Sequence, residues 1–168
     1  NNLTVANNDG QYSTLITGLS GPLEELAAEL GDVDISLTIQ KGTTLTNDQV
    51  MENFISTMRT EEPFIARNLE GRETPAYLQF YPQGISEYNN ATKTNMGVLT
   101  KRVNVAATQY ADELGTALAT TLQGFEASWL TSRNTQQQQM GSVEGNRSGR
   151  SEARTAVELA LVTTVHSI

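Results

Sequence analysis

The chain has 168 residues, 38% of them hydrophobic and 18% charged, which suits one domain with its own core. The formal net charge of −8 argues against a nucleic-acid or anionic-membrane partner. With no cysteine, disulfides, thiolate zinc sites and a cysteine nucleophile are excluded.

Residues 1–10 read as a polar arm ending in the turn Asn8-Asp9-Gly10. Gln11–Leu19 is a mixed apolar and Thr-rich run that fits a strand or the start of a helix. A helix is predicted over Pro22–Leu30. Gly21 stands at the N-cap, Pro22 at the first helical position, and Glu24 and Glu25 where the helix dipole favours acids. Gly31 ends it. Val33, Ile35, Leu37 and Ile39 then alternate with Asp34, Ser36, Thr38 and Gln40, the period of a half-buried strand. Such a strand needs a partner: Gln11–Leu19, Ala76–Tyr81 or another subunit.

Thr46-x-x-Gln49 matches a capping box, with Leu45 and Val50 placed as a hydrophobic staple. The helix it starts buries Val50, Phe54, Ile55 and Met58, and Pro63 breaks or restarts it. A short helix over 63–69 closes at Gly71. Residues 71–84, with Pro75 and Pro82 around Tyr77, Leu78, Phe80 and Tyr81, read as an extended crossover.

The longest periodic signal follows a possible start at Ser86 and a break before Met96. Leu99, Val103, Ala106, Tyr110, Leu114, Ala117 with Leu118, Thr121 and Phe125 recur three or four residues apart, predicting one helix over about 97–133. Residues 134–150, with four consecutive glutamines and three glycines, read as a polar connector. A last helix starts near Ser151, its apolar side formed by Ala153, Ala156, Val157, Ala160, Leu161 and Val165.

Charge is divided unevenly along the chain. Up to Ile85 there are 4 basic and 12 acidic residues, and from Ser86 there are 7 of each, so the net charge lies in the first half. The neutral second half is therefore the expected side of contact between subunits. No apolar run reaches the roughly 18 residues that span a bilayer, and no signal-peptide pattern is visible. The start at Asn1 and the end inside an apolar-periodic segment lead us to expect a processed product or a fragment.

Motifs that would specify a chemistry are absent from the sequence: there is no Gly-x-Ser-x-Gly, Gly-x-Gly-x-x-Gly or His-Glu-x-x-His. The single histidine, His166, has no acidic residue three or four positions away. Gly141, Gly145 and Gly149, with Arg147 and Arg150 ahead of a helix, could form an anion-holding loop, although no Gly-Lys-Ser/Thr follows. The acidic groups, such as Asp32 with Asp34 and Glu61 with Glu62, lack calcium-loop spacing and read as solvated surface. Asn2-Leu3-Thr4, Asn90-Ala91-Thr92 and Asn146-Arg147-Ser148 fit the glycosylation sequon, which is frequent by chance in an Asn/Thr-rich chain.

The expected fold is mainly α (α+β): a helical hairpin or bundle with one long helix at about 97–133, plus a small N-terminal strand and short-helix element. It forms a single domain, 1–168, with an acidic part (1–84) and a helical part (85–168) carrying the connector at 134–150. The expected function is that of a non-enzymatic structural or assembly protein, a self-associating subunit of an extracellular or virion-like particle. Its partners would be further copies or other protein subunits, with no nucleic acid, no membrane span and no cofactor. Val33, Ile35, Leu37, Ile39, Tyr77, Phe80, Tyr81 and Tyr88 are the candidate interface residues. The alternative is a ligand-binding or enzymatic bundle with its site in the aromatic segment 75–88.

Overall fold

A computed structural model describes Gly10 and residues 12–166. The elements are α1 (Ser13–Asn68), α2 (Pro75–Phe80), α3 (Ser86–Asn89), α4 (Met96–Gln109), α5 (Ala111–Leu114) and α6 (Thr116–His166). The fold is helical and bundle-like, and no strand occurs among the described residues. Apart from Gly10, the polar arm expected over residues 1–10 lies outside them.

Three sequence expectations give way here. The strand over Val33–Ile39 is part of α1. Its alternation is incidental to a seven-residue pattern in which Leu19, Val33 and Ser36 are buried while Ile35 and Ile39 face out. The expected breaks at Gly21, Gly31 and Pro63 do not occur, and Pro22 and Pro63 both lie inside α1. A proline removes one N–H and so frees the carbonyl four residues earlier. Those carbonyls belong to Gly18 and Arg59, both exposed, so water can satisfy them. Thr46 caps nothing: it lies mid-helix and its hydroxyl donates to the Gly42 carbonyl at 3.1 Å.

In the second half, the single helix expected over 97–133 is three helices. The path turns at Tyr110 and again at Gly115, whose φ of 79° and ψ of 146° are open only to glycine. The connector expected at 134–150 is helical throughout and belongs to α6. Its glutamines and glycines lowered the sequence signal, but the same three-and-four spacing runs on through Gln136, Gln139, Val143 and Asn146.

The chain divides into two compact units. One runs from Gly42 to Gln137; the other combines the chain up to Lys41 with the chain from Gln138 onward. The 42–137 unit holds a dense core. Phe54, Met58 and Ile65 of α1 meet Tyr77, Phe80, Tyr81, Tyr88, Met96, Leu99, Val103, Leu122 and Trp129. Phe54 packs edge-on against Tyr88 and Phe125, with centroids 5.6 and 5.2 Å apart. Each buried tyrosine hydroxyl finds an acceptor, as burial requires. Tyr81 donates to the Met58 carbonyl at 2.7 Å, Tyr88 to the Phe80 carbonyl, and Tyr77 to Glu62 at 2.7 Å. Glu62 also accepts two hydrogen bonds from Arg72, at 2.7 and 3.0 Å. Thr74 caps α2 through the Tyr77 N–H, with Pro75 at the first helical position.

Where α1 and α6 pair inside this unit, the seam passes through a buried polar layer. Asn47 donates to Gln136 at 2.7 Å and accepts from Ser132 at 2.7 Å. Gln136 in turn donates to Thr44 and accepts from Arg133.

The other unit is a pair of helical segments, one from each end of the chain. Its seam is thin. Among the described residues, the buried hydrophobic side chains are Leu19, Val33, Val143, Ala153 and Val157, joined by the polar Ser36 and Thr164.

Candidate functional site

Among the described residues the terminal unit exposes more large apolar side chains than it fully buries. Five hydrophobic side chains are buried there, while nine large ones are exposed among the described residues. The nine are Leu23, Leu30, Ile35, Ile39, Met140, Leu159, Leu161, Val162 and Val165. Scattered apolar residues need no explanation, but a helix that is apolar nearly all round belongs in an interior. Ala156, Val157, Leu159, Ala160, Leu161 and Val162 give the end of α6 that character.

The seven-residue pattern sorts these side chains onto two flanks. On α1 the seam follows 19, 22, 26, 29, 33, 36 and 40; on α6 it follows 139, 143, 146, 150, 153, 157, 160 and 164. One position past alternate seam residues lie Leu23, Leu30 and Leu37 on α1, and Met140, Arg147, Arg154 and Leu161 on α6. These share one side of the pair, since Leu26, Leu30, Arg150, Ser151 and Arg154 line one hollow of about 370 Å³. This first flank is apolar and carries Arg147, Arg150 and Arg154 beside the carboxylates of Glu158, Asp34 and Glu144. Arg154 is occupied by Glu158 of its own helix at 2.9 Å, whereas Arg147 and Arg150 make no ion pair among the described residues. Asp34 and Glu144 stand at its outer border.

The second flank lies one position before the alternate seam residues. On α1 it has Gly18, Glu25, Asp32 and Ile39, and on α6 Ser142, Gly149, Ala156 and Thr163. The Glu29 carboxylate lies on this side, so close over Gly149 that a β-carbon there would sit 2.6 Å from its oxygen. This flank is acidic, with Ile35, Ile39 and Leu159 as its exposed apolar groups.

The candidate residues read from sequence divide accordingly. Ile35 and Ile39 are exposed and Leu37 is half-buried, so they face outward as an interface residue must, though from a helix rather than an edge strand. Val33 is sealed in the seam. Tyr77, Phe80, Tyr81 and Tyr88 are buried in the 42–137 core, where they pack and bond, so they offer no surface to a partner and no open platform to a ligand. Arg147 and Arg150 stand on a continuous helix, not on a glycine loop ahead of one, and the anion-loop geometry is absent. Sequence reasoning passed over Leu23 and Leu30, because a helix ending at Gly31 would have placed them on its buried face. Their spacing of seven was the available signal.

Other features carry less. A hollow of about 420 Å³ beside the polar layer is lined by Thr43, Thr46, Val50, Ala127, Ser128, Thr131, Ser132 and Thr135, and contains no titratable group. A second, of about 480 Å³, is bordered by Val98, Val105, Lys101 and Arg102. Arg102 is held there by two hydrogen bonds to Glu87, at 2.9 and 2.6 Å. His166 points its Nδ1 at the Val162 carbonyl 2.8 Å away, and no carboxylate bonds it among the described residues. No group of three or more His, Asp or Glu side chains placed to hold a metal ion occurs among them, and none of the described helices is long and apolar enough to cross a membrane.

No protein-family model matches this chain, no curated protein is significantly similar to it, and no solved structure matches it.

Proposed function

We propose that this chain works by association, as a self-assembling structural subunit whose contact surface is the terminal helical pair. One observation carries the reading: among its described residues this unit exposes nine large apolar side chains over a seam that fully buries five. Ordering each residue of a helix costs about 1–2 kcal/mol in backbone entropy, and the helices of a pair gain most of their stability from the face they bury. A seam that fully buries one leucine, three valines and one alanine, with Leu26 and Ala160 half-buried beside them, is a small return for that ordering. Covering the exposed set with further protein completes it, as in a bundle of four or more helices.

The composition supports placing such an assembly in an extracellular or virion-like setting, because Thr, Asn, Gln and Ser take the polar positions that Lys and Glu usually fill. The test is the mass of the full chain in solution, by size-exclusion chromatography with light scattering across a concentration series. Masses at multiples of the 18.3 kDa chain, rising with concentration, are expected. A monomer at every concentration overturns the reading.

A further inference from the structure

We infer that the association is heterologous: the flank of the terminal unit that carries Leu23, Leu30 and the arginines packs, in one copy, on the acidic flank of the same unit in the next. This rests on the association proposed above and adds its geometry. The receiving surface is chosen by charge. Among the described residues Arg147 and Arg150 make no ion pair, and they share the first flank with Leu23, Leu30 and Leu161. Glu25, Glu29 and Asp32 stand on the second, and no cation accompanies them at those positions.

Two-fold pairing of the second flank would set Glu25, Glu29 and Asp32 against an equally acidic surface, and like charges brought together at an interface are strongly unfavourable. Two-fold pairing of the first flank would leave the second, with its exposed Ile35, Ile39 and Leu159, uncovered. Apolar side chains are available on both flanks: Leu23, Leu30 and Leu161 on the first, Ile35, Ile39 and Leu159 on the second. An interface between two different patches leaves one patch of each kind free on a pair of copies. It continues from copy to copy, into a ring where the rotation closes and an open filament where it does not.

Complementary charge reversal tests this in the full chain, at exposed helical positions whose helicity is checked by circular dichroism. One variant carries Arg147→Glu with Arg150→Glu, the other Glu25→Lys with Asp32→Lys. Each alone is expected to raise the concentration needed for assembly on the order of tenfold. An equimolar mixture should recover the size distribution of the original chain, because every contact then pairs opposite charges again. If one variant assembles like the original chain and the other does not, only one flank is used and the pairing is two-fold. If both assemble normally, or the mixture shows no recovery, the heterologous contact is refuted while association stands. If the original chain itself is monomeric, the proposed function fails first.

Discussion

Asn47 and Gln136 lie 89 positions apart, and their side-chain amides share a 2.7 Å hydrogen bond at the centre of a buried polar layer. Asn47 is fully buried and takes a second bond from Ser132. A buried polar pair of this kind adds little net stability but fixes which residues of two helices lie opposite one another. Asn47→Ala should cost about 2 kcal/mol in urea unfolding, since it strands the Gln136 amide and leaves a void. Asn47→Leu with Gln136→Leu should recover most of that loss, because Ser132 keeps its bond to the Trp129 carbonyl. An additive double mutant would show that the two residues do not act as a pair.

Glu62 gives the acid limb of stability. The Arg72 hydrogen bonds, helped by Tyr77, hold its carboxyl below the ordinary glutamate value of about 4.3, against the upward push of burial. A carboxylate whose pKa is lower in the folded state stabilises the fold above its unfolded value, and that contribution fades as the pH falls below it. Glu62→Gln should therefore unfold more easily than the original chain at neutral pH. The two should converge in acid, where both carry a neutral group. A constant difference from pH 7 down to acid would assign the effect to packing instead.

The tyrosines set the alkaline limb. Burial, with the hydrogen bond to Glu62, pushes Tyr77 up to about 12, and burial pushes Tyr88 to about 12. Tyr81 is displaced upward too, again by burial first. Groups whose pKa is raised in the fold stabilise it below the unfolded value of about 10, and that stability is lost as the pH climbs from there toward 12. Tyrosinate absorbance should rise in step with the loss of helical circular dichroism. Complete ionisation of all five tyrosines near pH 10 with the helices intact would contradict the burial of these rings.

Glycines separate into two kinds with opposite expected signs. Gly115 has a backbone that only glycine adopts with ease, so Gly115→Ala should cost about 1–3 kcal/mol. Gly124 and Gly145 lie exposed within α6 with open space at the β-carbon. Alanine there should add about 0.5–1 kcal/mol each. Glu70 is the converse case: φ of 64°, with the Gly71 N–H reaching back to the Ala66 carbonyl as the α1 end turns off. Glu70→Gly should gain up to about 1 kcal/mol. Thermal melts of the four variants rank them directly.

The helical second half was legible because Leu99, Val103, Ala106 and Leu114 do line a core, as their spacing says. Its interruptions were not, since a turn at Tyr110 preserves the apolar period on both sides. The N-terminal half was misread for a different reason. Gly18, Gly21, Gly31 and Gly42, with Pro22 and Pro63, are local helix breakers that lie in a helix secured by pairing far along the chain. Asn47–Gln136 and the Asn146 bond to the Asp32 carbonyl, at 3.1 Å, are contacts that no local rule can see. Ile35 and Ile39, read from sequence on a strand, are exposed on a helix. The aromatic set failed because ring size and polar tips suit a core and an interface equally, and only packing separates the two.

Thr46 condenses that lesson into a measurement. As an N-cap, Thr46→Ala would cost about 1 kcal/mol. In the structure the residue is mid-helix and exposed, and its hydroxyl bonds back to Gly42, an arrangement that slightly opposes the helix. Alanine removes that competition and the β-branch, both of which disfavour the helix. Thr46→Ala should therefore be neutral or stabilising by up to about 0.5 kcal/mol. A loss near 1 kcal/mol would place a helix start at residue 46, and with it an α1 that is not continuous.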